Sequence, residues 1–276
     1  MPATREWVEN RPATRWLPRL DVRELWAYRE LALFLALRDL KLRYKQTAFG
    51  VAWAVVQPLA AALIFTIVFG RLAGLPSDGL PYAVFVYAGM VAWSYVSAAV
   101  SAASESLVEH RALVTNVYFP RILAPLAAVL PGLVDLLISL AILAVFMAVY
   151  GVAPSGALLL APLWVVALVG AALAAAFWLS ALNVLYRDVR YALGFVIQLW
   201  LFASPIVFPS SLVDGAWRYV YSANPLVGAL DGFRWSLLGA PPPGREDLVS
   251  LAVGLVVLAT GVLYFQKVER QLGDRI

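Results

Sequence analysis

The stretch RDLKLRYKQTAFGVAWAVVQPL, residues 38–59, decides the fold, because a dense cationic segment leads directly into a long apolar run. Its first half carries four cations: Arg38, Lys41, Arg43 and Lys45. From Phe49 onward no charged residue occurs until Arg71. A basic cluster beside an apolar run is typical of a helix that enters a bilayer from the cytoplasm. The stretch therefore predicts where the membrane begins and places the N-terminus in the cytoplasm.

The composition predicts an all-α integral membrane protein. Of the 276 residues, 62% are hydrophobic and 14% are charged, whereas soluble domains have about 45–50% apolar and about 25% charged residues. There is no cysteine and one histidine, which excludes a disulfide framework and a multi-histidine metal site. No G-x-x-x-x-G-K-[ST] motif is present, so the chain does not bind ATP through a P-loop. Little of the chain could form the lipid-free basic face of a nucleic-acid-binding protein.

Six apolar segments are long enough to span a bilayer, which takes roughly 17–25 residues. They cover about 49–69, 82–103, 122–150, 157–185, 191–208 and 248–265. The later half of the second segment contains Ser94, Ser97 and Ser101. We expect residues 1–48 to form a cytoplasmic tail and an amphipathic helix, and residues 49–276 to form one transmembrane domain.

The distribution of charge supports this topology. With the N-terminus inside, the four predicted cytoplasmic segments hold 17 of the 21 Lys and Arg residues, as the positive-inside rule requires. The segment 224–238 has 15 residues and contains Asp231 and Arg234. If it crossed the membrane, the basic C-terminus would lie outside. We therefore expect it to dip into the outer leaflet and return, as irregular elements do where protein covers them.

Two further segments are predicted to form helices at the cytoplasmic surface. Apolar residues recur at helical spacing from Val22 to Tyr44 and predict a helix that lies in the headgroup plane or packs on a soluble partner. Ser106 and Glu109 have the spacing of a capping box and predict a short helix up to Asn116. That helix is either a solvated connector or a docking element for a cytoplasmic subunit.

Asp135 is the one acid deep inside a predicted span. Acidic residues at membrane depth are costly, and they usually mark a functional site. A hydrogen bond to a neighbouring helix, or a place in a wet cavity, would also explain it.

Five motifs in the same order resemble the permease subunit of type-2 ABC transporters that export lipid-linked polysaccharides such as O-antigen, capsule or teichoic acid. The motifs are RDLKLRYKQTAFGVAWAVVQPL (38–59), VYFPR (117–121), YRDVRYALGFVIQLWLFASPIVFP (186–209), NPLVGALDGFRWSLLG (224–239) and KVER (267–270). The resemblance runs from about residue 36 to the end of the chain.

The resemblance implies a homodimer that binds two copies of a separate ABC ATPase, which would carry ATP and Mg. It makes residues 22–44 an interface helix, 105–116 a coupling helix, and 224–238 the second of two re-entrant helices between spans five and six. It implies that ATPase coupling uses Glu105, Ser106, Glu109, His110, Arg111 and Asn116. A lipid-linked substrate would enter at Arg38, Lys41, Arg43, Tyr44 and Lys45. Spans one and five would line the channel, with Phe65, Phe69, Trp200 and Phe202 as candidates, unless these rings face lipid or pack internally. The outer gate would include Asn224, Pro225, Asp231 and Arg234.

Two other functions compete with polysaccharide export. A type-2 ABC permease for a drug or a lipid would share the fold and the coupling loop. A membrane enzyme acting on lipid-linked sugars would need clustered acids or metal ligands near an interface, and the outer acids show no recognisable spacing. We therefore expect a transport subunit in the inner membrane, with both termini cytoplasmic, no catalytic residues and no metal.

Overall fold

The computed structural model describes residues 22–45, 50–109, 118–186 and 188–269, which form helices joined by short turns and no β-strand. The predicted all-α class is therefore confirmed. The helices are α1 (Val22–Ala27), α2 (Arg29–Lys45), α3 (Gly50–Phe65), α4 (Tyr82–Glu109), α5 (Leu123–Ala128), α6 (Pro131–Tyr150), α7 (Ala161–Leu185), α8 (Asp188–Phe202), α9 (Ala216–Tyr221), α10 (Pro225–Leu238) and α11 (Arg245–Glu269). The predicted N-terminal tail, residues 1–20, lies outside the described residues.

Within these ranges, five helical segments are long and apolar enough to cross a membrane. They are Val55–Leu72, Tyr82–Glu109, Leu123–Tyr150, Leu158–Leu185 and Arg245–Glu269, and they lie over the first, second, third, fourth and sixth predicted spans. Over the fifth predicted span, α8 has 15 residues and is roughly 22 Å long, shorter than the ~30 Å hydrocarbon core. The protein is multi-pass, and the fifth predicted span, 191–208, stays a prediction.

Helix α4 is the centre of the bundle. In its most apolar window 78% of the residues are buried, against 11–28% in the other four segments. It packs against α3, α5, α6 and α7, while α11 packs on α7. Because α4 contacts so many elements, a displacement of this helix would change the packing of the helices around it.

Helix α10, over the predicted re-entrant segment, is held inside the protein by close packing. It contacts α7 and α11, and almost all of its residues are buried. Gly232 lies directly against the ring of Trp164, so a side chain at position 232 would overlap that ring. The glycine thus allows this helix of 14 residues to pack closely against Trp164. Its re-entrant position in the membrane stays a prediction.

The predicted interface helix is divided at Tyr28 into α1 and α2. Leu35 and Ala36 of α2 are buried against Ala127 of α5. The predicted apolar stripe is divided between two environments. Leu33 and Leu37 are exposed, whereas Leu25 packs against a buried cluster that includes Phe119, and Tyr44 binds Asp135.

Candidate functional site

A cavity of about 650 Å³ lies among α2, α3, α4, α6 and α8. α3, with Pro58 inside it, forms one wall. α4 and α6 form the opposite side, and Ile197 and Leu201 of α8 contribute an apolar edge. α3 continues into a π-helical turn, Thr66–Leu72, a departure from α-geometry that often accompanies functional sites.

The lining combines hydroxyl groups with aromatic rings. The cavity wall includes Ser94, Ser97, Ser101, Ser139, Phe65, Trp93 and Tyr95. Hydroxyls can exchange hydrogen bonds with a polar guest, and rings offer flat apolar faces with a positive edge. A wall of this kind suits a ligand that carries many hydroxyls and apolar C–H faces.

At the α2 end of the cavity, Asp135 binds two consecutive residues of that helix. Arg43 Nη1 donates to Asp135 Oδ2 at 2.5 Å, and the Tyr44 hydroxyl donates to Asp135 Oδ1. The side chains of Arg43 and Asp135 are 40% and 21% exposed, and all three residues line the cavity. Burial, followed by the hydrogen bond to Asp135, raises the pKa of Tyr44 to about 12. The phenol is therefore protonated at neutral pH and acts as a donor.

The other predicted substrate-access residues lie outside this cavity. Arg38 pairs with the neighbouring Asp39 at 2.9 Å. Lys41 and Lys45 are exposed on α2 and do not line the cavity. Of the five access candidates, the structure brings Arg43 and Tyr44 to the cavity wall. The interpretation that Asp135 hydrogen-bonds a neighbouring helix is confirmed. Its partners were not predicted, because Asp135 lies 92 residues away from Arg43.

Only one of the four channel-lining candidates, Phe65, is part of this wall. The ring of Phe69 lies 5.8 Å from that of Phe65, centroid to centroid. Trp200 makes a T-shaped contact with Trp93, and its indole N–H donates to Asn224 Oδ1 at 2.9 Å. Phe202, at the end of α8, is 53% exposed.

Two of the predicted outer-gate residues, Asn224 and Arg234, connect α10 to the end of α8 and the segment that follows it. Asn224 caps α10, since its Oδ1 accepts from Leu226 N at 3.0 Å, and Pro225 takes the first helical position. The Asn224 amide also donates to the Ala203 carbonyl oxygen at 3.0 Å. None of the four gate candidates, Asn224, Pro225, Asp231 and Arg234, lines the cavity described above.

Arg234 stabilises the irregular segment that follows α8. It is 1% exposed, donates to the carbonyl oxygens of Pro205 and Ile206, and lies 3.8 Å above the ring of Phe85. The helix predicted to extend to Phe208 ends at Phe202. The carbonyl groups released by that early end are bound by Arg234.

The predicted coupling segment begins inside α4. The helix runs without a break to Glu109, and the buried Ser106 donates to the Ala103 carbonyl oxygen at 2.8 Å. Ser106 therefore does not cap a new helix, because its hydroxyl binds the preceding turn. Glu105 pairs with Arg190 of α8 at 3.3 Å, and Glu109 is exposed. His110, Arg111 and Asn116 lie outside the described residues.

The family described as ABC-2 type transporter matches residues 30–238, which include every residue that lines the cavity. The chain belongs to the ABC-2 type transporter family. Among its relatives, an O-antigen export system permease protein RfbA from Myxococcus xanthus is 29% identical over 239 residues, covering 86% of this chain and 91% of the relative. A protein of the same name from Klebsiella pneumoniae is 23% identical over 250 residues, covering 89% and 94%.

Membership of the ABC-2 type transporter family confirms the predicted class of protein, a transporter subunit with multiple membrane helices. The matched region begins within α2 and ends with α10. It thus includes the Arg43–Tyr44–Asp135 contact, the cavity and the buried Arg234 connection. These features belong to the transport domain itself.

Proposed function

We propose that this chain is the membrane-spanning subunit of an ATP-driven exporter that moves polysaccharide linked to undecaprenyl pyrophosphate across the cytoplasmic membrane. O-antigen, capsule and teichoic acid are the polymer types that fit. The observation that carries the proposal is the composition of the cavity, with the hydrogen-bond donors Arg43 and Tyr44 at one end and a wall that contains hydroxyls and rings beyond them. The names of the relatives agree with it.

The two parts of the cavity suit the two parts of such a substrate. Arginine forms strong charge-assisted hydrogen bonds with phosphate oxygens, so Arg43, with Tyr44 beside it, suits the pyrophosphate. Sugar rings present hydroxyls to serines such as Ser97 and Ser101, and apolar faces on which Phe65 or Trp93 can stack. A simple lipid or an apolar drug would contact the apolar part of this wall and leave its serine hydroxyls without a polar partner on the ligand.

Transport requires an energy source outside this chain, which has no P-loop. We propose that two copies of the chain form the channel and that two ABC ATPase subunits, carrying ATP and Mg, bind the segment 105–116. The Glu105–Arg190 pair would pass movement of that segment to α8. Leu193 is the one residue of α8 that is buried. Few contacts within this chain therefore hold α8 in place, as expected of an element that moves.

The orientation follows from charge. Most Lys and Arg residues lie in the segments proposed to face the cytoplasm. In this orientation the chain lies in the inner membrane with both termini cytoplasmic. Arg43 and Tyr44 then lie near the inner leaflet, where a newly made lipid-linked polymer is located.

Depletion of the chain in its native host tests this proposal. Polymer should accumulate inside the cell on its lipid carrier and disappear from the surface, and the wild-type chain should restore export. Normal surface polymer after depletion would contradict polysaccharide export and favour a drug or lipid substrate. Glycosyl transfer by the purified chain alone would instead support an enzyme.

A further inference from the structure

The contact between Asp135 and α2 has the form of an occupied anion site. Two donors from consecutive residues, Arg43 and Tyr44, bind the two oxygens of one carboxylate. A phosphate group also offers several acceptor oxygens and stronger negative charge, so the same pair of donors can bind it. The carboxylate of Asp135 thus takes the place that an incoming phosphate would need.

The position of this contact allows exchange. Arg43 and Asp135 are partly exposed, and both line the large cavity. The buried Arg234, by contrast, is enclosed and bound to backbone carbonyl oxygens. Ion pairs that water can reach contribute little net stability, so an anion with more charge than a carboxylate can displace Asp135 from Arg43.

We propose that Asp135 is a built-in competitor, which a phosphate-bearing lipid head must displace from Arg43 and Tyr44 before it binds. The inference rests on the proposed function, because it concerns the same substrate site. Every anionic lipid must compete with the Asp135 carboxylate for Arg43 and Tyr44. Headgroups that bind weakly therefore do not displace Asp135. A pyrophosphate head, with its additional charge, displaces the carboxylate and occupies the site.

Binding of farnesyl diphosphate to the full chain in phosphatidylcholine nanodiscs tests this inference. Tryptophan fluorescence can report binding, because Trp93 lines the cavity. We expect Asp135→Asn to bind about tenfold more tightly than wild type, since one nearby negative charge is removed. Asp135→Glu, which keeps the charge, should bind more weakly than Asp135→Asn. Asp188→Asn, which removes a carboxylate outside the cavity, should match wild type.

A second series, in nanodiscs that contain phosphatidylglycerol, separates the two sources of lipid phosphate. This lipid should compete with farnesyl diphosphate strongly in Asp135→Asn and weakly in wild type. Equal competition in the two proteins would overturn the role of Asp135 against weakly binding lipids. The competitor role itself would be overturned if Asp135→Asn, with an unchanged melting temperature, bound farnesyl diphosphate no more tightly than wild type. It would also be overturned if the wild-type chain bound no farnesyl diphosphate. Polymer export in depleted cells is measured separately, so failure of this inference is distinguishable from failure of the proposed function.

Discussion

Replacing Arg234 by methionine removes the donors that hold the segment after α8, while keeping a long side chain. The carbonyl oxygens of Pro205 and Ile206 then lose their bonds to Arg234 in a buried site. Each unsatisfied buried group costs about 1–3 kcal/mol, so the two together cost about 2–6 kcal/mol. The lost contact with the ring of Phe85 adds about 1 kcal/mol. The total is about 3–7 kcal/mol, and we expect a value near the middle, about 5 kcal/mol.

The melting temperature measures this loss, and the ten tryptophans of the chain provide the signal. A loss of about 5 kcal/mol predicts a decrease of roughly 10–20 °C. Arg218→Met is the matched control, because Arg218 makes a long ion pair of 3.9 Å with Glu246, and such pairs contribute about 0–1 kcal/mol. A decrease for Arg234→Met no larger than that for Arg218→Met would refute the role assigned to Arg234.

Four further changes test the packing, the coupling contact and the cavity. Gly232→Val should lower the melting temperature by several degrees, because the new side chain overlaps Trp164; Gly156→Val, at a position with open space, should leave it within a degree or two. Glu105→Lys should reduce transport and stimulated ATPase activity several-fold without lowering the melting temperature, because it faces Arg190; Glu105→Asp should retain most activity, and full activity of the lysine variant would contradict coupling through this pair. Arg43→Ala should reduce export at least tenfold and Lys45→Ala less than twofold, because only Arg43 lines the cavity; equal losses would show that general surface charge is what matters. Ala98→Trp should block export by filling the cavity, whereas Val149→Trp, at a residue 77% exposed on α6, should not; normal export in the first variant would place the transport route elsewhere.

Much of the fold could be predicted from hydropathy, because a long apolar run bounded by charged residues is typical of a transmembrane helix. The five long helices lie over predicted spans. The early end of α8 agrees with Pro205, because the residue before a proline is steered away from helical geometry. The donor that binds the carbonyl oxygens of Pro205 and Ile206 could not be predicted, because Arg234 lies 28 and 29 residues further along the chain. The capping-box prediction at Ser106 failed because α4 continues and buries that residue.

Less of the candidate site than of the fold could be predicted from the sequence. The cationic segment pointed to Arg43 and Tyr44, and the serines of α4 were visible as a pattern. That Asp135 binds those two residues depends on how α2 lies against α6, which periodicity within each helix does not report. The aromatic candidates came from spans one and five, which the resemblance implies line the channel. Phe65 was therefore found at the wall, whereas Trp93 and Tyr95 were missed because they lie on α4, the second span.

Photo-crosslinking from the cavity wall tests most directly whether this cavity carries the polymer. A photoreactive amino acid replaces Ser97, a residue of the cavity wall, and a matched chain carries it at Val149, an exposed position outside the cavity. Both chains are expressed in the native host with its ATPase and illuminated during export. We predict polysaccharide adducts from position 97 and none from position 149. Continued export with no polysaccharide adduct at position 97, or with equal adducts at the two positions, would contradict transport through this cavity.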